Sequence, residues 1–231
     1  DQVPLRLIPL VTVTTWLTHL FGGSAGREGV AVQLGATVSH AFSRYFKLPN
    51  ASRIFLTMGM AAGFGGLFQT PIAATFFALE VLTLGQLSLP ILVPTLIASF
   101  MASTTSHLLG LEKFSHFVSE SLTIDLGTFM KLALLGLAFG LAGNLFAYLL
   151  SLAKKKVASL LPNPYYRVLL GGVVLTCLLL ILCKGRYTGL GTNLIALSVD
   201  GGTIYPLDWL FKLLLTVFTL SLGFQGGEVT P

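Results

Sequence analysis

The chain has 231 residues, 54% hydrophobic and only 10% charged, with 14 Lys and Arg against 9 Asp and Glu for a net charge of +5. Soluble domains carry roughly 25% charged residues, and the mean hydropathy of +0.83 argues against a soluble enzyme and for the bilayer as solvent. The densest basic cluster, Lys154-Lys155-Lys156, closes an apolar stretch, where bases mark the cytoplasmic side of a membrane rather than a nucleic-acid face.

Apolar stretches run over about residues 5–20, 30–46, 54–84, 89–109, 126–153, 168–183 and 207–222. Several reach the roughly 17 to 25 residues that a spanning helix requires. Others are too short or too rich in glycine to cross alone. They predict broken or re-entrant helices packed inside protein, where an irregular backbone can be satisfied. Helix starts are expected at Pro71 after Thr70, at Pro90 after Leu89, and after Pro206, because proline is tolerated in a first turn. The bases near Lys154 place the acidic connection around Glu112, Glu120 and Asp125 on the outer side.

No Ser-rich or charged linker divides the chain, so one membrane domain over residues 1–231 is the simplest organisation. Cys177 and Cys183 stand six residues apart with no CxxC or CxxH pattern, and imply neither a disulfide nor a metal site. His19, His40, His107 and His116 have no carboxylate or Cys partner at ligand spacing. Trp16, Trp209, Tyr165 and Tyr166 lie near stretch ends and fit interfacial anchoring. Asn144, inside a Gly-rich apolar run, suits a hydrogen bond between helices.

Two places break the apolar pattern alike: Gly22-Gly23-Ser24-Ala25-Gly26-Arg27-Glu28-Gly29 and Gly223-Phe224-Gln225-Gly226-Gly227-Glu228-Val229-Thr230-Pro231. Glycines let a backbone turn and approach a ligand closely. A helix beginning after each would point unpaired N–H groups and a positive dipole end into the membrane. Two such ends facing each other would make an anion site. The recurrence, about 200 residues apart, fits two related halves of the inverted kind found in transporters. Two ordinary Gly-rich surface loops are the alternative.

Glu28 follows the first break and precedes the run Val30-Ala31-Val32-Gln33-Leu34-Gly35. A charged carboxylate at a bilayer centre costs roughly 2.5 to 3.5 kcal/mol on insertion scales, so such a residue normally has a role. At a helix N-terminus it occupies the place an anion would take. Protonation would free it and admit the anion, coupling two ion movements through one side chain. A salt bridge with Arg27 or a simple helix cap are the structural alternatives.

The segment Gly26-Arg27-Glu28-Gly29-Val30-Ala31-Val32-Gln33-Leu34-Gly35 resembles the GREGP-x-VQ-x-G signature of the CLC superfamily of chloride channels and proton-coupled anion antiporters. The stretch Ala61-Ala62-Gly63-Phe64-Gly65-Gly66-Leu67-Phe68-Gln69-Thr70-Pro71-Ile72-Ala73, through Phe77-Ala78-Leu79-Glu80, is similar to that family's AAG…F-x-x-P segment. The closing Gly226-Gly227-Glu228-Val229-Thr230-Pro231 stands in the place of its GxFxP motif. The three matches keep family order and spacing. The resemblance implies that Glu28 is the gating glutamate, and that Gly26, Arg27, Gly29, Val30, Val229 and Thr230 help line the anion site.

Three departures fall at these motifs. Position 30 is Val rather than Pro, position 81 is Val where proton-coupled chloride antiporters often carry a second glutamate, and Val229-Thr230 replace an aromatic and Ala. All three resemble the fluoride-exporting CLC-F branch. Fluoride is small and strongly hydrated, and the Thr230 hydroxyl can donate where water must be replaced. Thr230 can equally cap a helix before Pro231. With Val81 in place, Glu228 is the acidic residue offered as a second proton site, with capping at a dipole end as its other reading. Glu80 reads as a structural or vestibule carboxylate.

The resemblance implies an all-α membrane protein of CLC type, with broken or re-entrant helices and inverted-repeat halves, incomplete at both ends. Residues 1–125 would belong to the first half and 126–231 to the second. It further implies a fluoride/proton antiporter without enzymatic chemistry or cofactor, a homodimer when full length, in a bacterial inner membrane. A further anion-site motif is expected upstream of Asp1, and a pore-lining Tyr beyond Pro231. The alternatives are a chloride channel or chloride/proton antiporter of the same superfamily, or a structural fragment that transports nothing.

Overall fold

A computed structural model describes residues 3–82, 89–113, 115, 125–182 and 185–228. Among these residues the regular structure is helical, apart from one isolated bridge between Gly26 and Gly227. The helices are α1 (Leu7–Leu20), α2 (Glu28–Ser43), α3 (Ala51–Phe68), α4 (Pro71–Leu82), α5 (Leu89–Leu108), α6 (Leu126–Leu160), α7 (Pro164–Ile181), α8 (Thr192–Val199) and α9 (Asp208–Ser221). By length and composition α3, α5, α6 and α7 can each cross a membrane. The chain forms two compact units, Asp1–Leu17 with Arg27–Ser115, and Thr18–Gly26 with His116–Pro231.

In the first unit the expected break at Thr70-Pro71 divides the stretch 54–84 into two helices. Gln69 turns the chain in the left-handed region (φ 53°), its N–H bonded to the Gly65 carbonyl at 2.9 Å. Pro71 then opens α4, where a missing N–H interrupts no helical bond. α2 and α3 pack through small residues rather than large apolar ones. A Cβ on Gly35 would lie 2.1 Å from the Gly59 carbonyl oxygen, and one on Gly63 would lie 2.1 Å from that of Ala31. This is how helices approach when lipid tails are as apolar as their side chains. The core around them is Ala36, Met60, Ala61 and Ala78, with Val32 and Leu56 packed against it. The Ser99 hydroxyl of α5, fully buried, bonds the carbonyls of Ala61 and Pro71 at 3.2 and 3.1 Å and ties α3 and α4 to α5. The Gln69 side-chain amide donates to the Leu111 carbonyl.

In the second unit α6 is 35 residues long, about 52 Å at 1.5 Å per residue, well beyond a hydrocarbon core of about 30 Å. The basic cluster that closes the apolar stretch lies inside the helix. Lysine is a good helix former, and nothing between Ala153 and Leu160 breaks the pattern until Pro162-Asn163. Asp125 caps α6 by accepting the Thr128 N–H at 2.8 Å, and hydrogen bonding from Thr128, side chain and backbone, holds this carboxyl below its ordinary range. Asn163 caps α7 by accepting from the Tyr165 N–H at 2.9 Å. Leu175, Leu179, Tyr187 and Leu215 form a buried cluster between α7 and α9. Asp208 anchors the start of α9, accepting from Arg186 Nη2 and the Tyr187 hydroxyl at 2.7 Å each and from the Tyr205 N–H at 2.9 Å.

The proposed anchors Trp16, Trp209, Tyr165 and Tyr166 are exposed, as is Asn144. Cys177 is a free thiol. Cys183, His116 and Glu120 lie outside the described residues.

Close packing at α3 gives a paired prediction. Gly63→Ala drives a Cβ into the backbone of α2 and should lower stability by about 1–3 kcal/mol. Gly66→Ala, three residues on, meets Ala102 at an ordinary 3.6 Å and should be neutral or stabilising. Thermal unfolding of the purified full-length variants in detergent checks the contrast.

Candidate functional site

Both Gly-rich breaks begin where a helix ends in a left-handed glycine. α1 stops at Gly22 (φ 77°), with the Gly22 N–H on the His19 carbonyl at 3.0 Å and the Gly23 N–H on that of Thr18 at 2.8 Å. These bonds satisfy carbonyls that the helix end leaves open. A Cβ at Gly23 would lie 2.6 Å from Thr18 Cγ2 and 2.8 Å from the Thr18 carbonyl oxygen, so the turn has no room for another residue. α9 stops at Gly223 (φ 94°) in the same way.

The second unit brings the two breaks together. Gly26 and Gly227 exchange both backbone hydrogen bonds, N–H to carbonyl at 2.8 Å in each direction. Ala25 and Ser24 beside them are fully buried. A Cβ on Gly226 would stand 2.4 Å from that of Ala25, so glycine is what allows two irregular segments to pair this closely. The two Gly-rich segments thus pair directly through their backbones.

A buried polar ladder holds the first break against α9. The Ser24 N–H donates to Thr219 Oγ1 at 3.2 Å, and Ser24 Oγ lies 2.8 Å from Thr216 Oγ1. Thr216 spends its one proton on the Lys212 carbonyl at 2.9 Å, so Ser24 is the donor of that pair. Lys212 Nζ in turn donates to Ser24 Oγ at 2.8 Å.

Among the residues expected to line the site, Arg27 takes the N-cap position of α2 without a side-chain cap bond and is exposed. Glu28 is the first residue of α2 and only 3% exposed. The N-cap position itself is held by Arg27, with Glu28 as the acidic residue of the first turn. Gly29 is half-buried and Val30 buried. They occupy the first turn of α2, whose N–H groups stand outside the helical ladder, and the ladder starts with Ala31 N–H on the Arg27 carbonyl at 3.1 Å. Gly26 belongs to the second unit and Arg27 to Val30 to the first.

Glu228 is exposed, with Lys154 Nζ at 4.0 Å, and it lines a cavity of about 900 Å³ in the second unit with Phe146, Lys212 and Thr216. Val229 and Thr230 lie outside the described residues. Glu80 and Val81 are exposed on α4. Sequence reasoning passed over Lys212 and Ser24. The signal for Lys212 was available, a lone base in the apolar helix 208–221. Nothing in the sequence joins it to Ser24, 188 residues away.

Comparisons with known proteins bear on the family and the fold. The family model described as voltage gated chloride channel matches residues 1–231. A chloride/fluoride channel protein of Pseudomonas syringae pv. tomato is 35% identical over 236 residues, covering 99% of this chain and 52% of that protein. A voltage-gated ClC-type chloride channel, ClcB, of Salmonella typhimurium is 25% identical over 224 residues, covering 95% and 53%. The crystal structure of a CLC-type fluoride/proton antiporter superposes with a TM-score of 0.95 at 54% identity, covering all of this chain and 58% of that one. The chain spans about half the length of the curated relatives it matches. It is an integral membrane protein, and it belongs to the voltage gated chloride channel (CLC) family of channels and transporters.

Proposed function

We propose that this chain is part of a fluoride/proton antiporter that exports fluoride as protons enter, with Glu28 as its protonatable gate. The observation that carries the reading is the burial of Glu28 at the very start of α2. A charged carboxylate there is favoured by the helix dipole and by first-turn N–H groups. Those same groups would bind a small anion. Carboxylate and anion therefore compete for one place, and protonation of Glu28 removes its claim. Gly26, Arg27, Gly29 and Val30 contribute backbone to the site, and Val229 and Thr230 contribute from the second break. Likeness to the antiporter structure at 54% identity supports the choice of fluoride and of proton coupling.

Glu228 is the second proton site in this reading. Its exposure beside Lys154 and on the cavity wall suits proton exchange with water. Residues 1–125 and 126–231 are parts of the two inverted halves, the full-length protein works as a homodimer, and its membrane is the bacterial inner membrane. A chloride-conducting role is the second reading, favoured by the names of the ClcB relatives.

The full-length protein in liposomes, with fluoride, chloride and pH electrodes, separates the two. Fluoride efflux well above chloride efflux is expected, and chloride flux without fluoride preference would overturn the substrate. Glu28→Gln should cut proton movement by about tenfold or more, an effect of ~1.4 kcal/mol or above, and fluoride flux unchanged by this variant at every pH would sink the gate. Thr230→Val removes a hydroxyl donor to a charged ligand, about 1.5–3 kcal/mol. Fluoride-over-chloride selectivity should fall on the order of tenfold, and an unaltered ratio would remove Thr230 from the site. Glu228→Gln should abolish proton uptake while fluoride flux persists, and proton uptake preserved at the wild-type rate would dismiss Glu228 as the second site.

A further inference from the structure

Lys212 is a buried base that the proposed mechanism does not use. Its residue is 4% exposed on α9, and its ammonium reaches Ser24 Oγ at 2.8 Å, the Tyr187 carbonyl at 3.2 Å and the Gly189 carbonyl at 2.5 Å. These acceptors take up all three N–H donors of a lysine. No carboxylate is among them. Asp208, one turn earlier, is engaged by Arg186, the Tyr187 hydroxyl and the Tyr205 N–H. An ammonium held in a buried place by neutral oxygens is expensive unless every proton is satisfied, and here every proton is.

The surroundings are shaped to this side chain. A Cβ on Gly191, itself at φ 80°, would lie 2.9 Å from Lys212 Cε, so a glycine clears the path of the stem. The loop carrying Gly189 is tied to the first break a second time, through the Gly189 N–H on the Gly23 carbonyl at 3.1 Å. Hydrogen-bond direction closes into a ring: Lys212 ammonium to Ser24 hydroxyl, Ser24 hydroxyl to Thr216, and Thr216 back to the Lys212 carbonyl. Residues 22–26 are thereby fixed to α9 and to the 185–191 loop at once, and Gly26 passes that constraint to Gly227.

We propose that Lys212 is a positioning residue for ion coupling, whose ammonium locks residues 22–26, the backbone leading directly into Glu28. The proposal rests on the reading of Glu28 as gate. A gate that moves by side-chain rotation needs a backbone that stays still. If the lead-in drifts, Glu28 closes imperfectly and anions pass without a proton.

The test uses the full-length protein in liposomes and reads the ratio of protons to anions moved, for whichever halide the wild type carries. Lys212→Met should lower that ratio on the order of tenfold, within the roughly hundredfold that a misplacement of about an ångström can cost a reaction that depends on positioning. Ser24→Ala, which removes one acceptor, should lower it less. Lys212→Arg, which keeps the charge and donors, should recover part of the ratio. A wild-type ratio in Lys212→Met overturns the proposal, as does an Arg variant no better than Met beside a Ser24→Ala variant at the wild-type ratio. Should Lys212→Met fail to give a monodisperse protein, Ser24→Ala decides alone, and an unchanged ratio there overturns it. If the wild type moves anions and no protons, the antiporter reading fails by itself. The same variants are then read against the pH profile of anion flux, where an altered profile supports Lys212 and an unaltered one overturns it.

Discussion

Gly26 and Gly227 satisfy each other's backbone, and the pairing of the irregular segments that follow α1 and α9 depends on that exchange. A peptide group that leaves a helix inside a bilayer loses its partner, and no water is present to replace it. Two interruptions of this chain, one after α1 and one after α9, leave backbone groups that need such partners. Their mutual bonds at 2.8 Å supply a donor and an acceptor to each, and the approach demands glycine at 226, where a Cβ would strike Ala25. Pairing gives the chain beyond each interruption a defined starting point. One leads to Glu28 and the other to Glu228.

Charge placement obeys the same economy of partners. The chain holds few charges, and among the described residues of the second unit the buried ones are engaged: Asp208 by donors from three residues, Lys212 by three acceptors. Glu28 in the first unit is buried at a helix start, where first-turn amides favour negative charge. Small residues do the packing elsewhere. Gly35, Gly59 and Gly63 bring α2 against α3, and Ser99 bonds carbonyls of α3 and α4, as expected where burial of apolar surface gives helices no reason to associate.

Most of the helices were legible in the sequence because lipid imposes length and apolarity on them. α1, α2, α5, α7 and α9 fall on their apolar stretches within a few residues, and Thr70-Pro71 foretold the division between α3 and α4. α8 was not legible, since eight residues between Gly191 and Asp200 carry too little apolar length to register. α6 runs past its apolar stretch because a run of lysines marks a membrane boundary while remaining good helix sequence. Of the site, the two breaks and Glu28 were visible as a charge and glycines where the membrane penalises them. Their pairing was visible only as a resemblance between distant segments. Lys212 went unread because its acceptors are a serine and two carbonyls from remote loops, and backbone acceptors leave no mark in a sequence.

A protonatable gate that competes with the anion requires fluoride and protons to move together. Liposomes carrying the full-length protein, loaded with fluoride and held at equal pH on both sides, provide the direct measurement. The external medium should turn alkaline in step with fluoride efflux, as protons enter against no initial gradient, and loading with chloride in place of fluoride should not reproduce the effect. Fluoride efflux with no accompanying proton movement would contradict the coupling through Glu28.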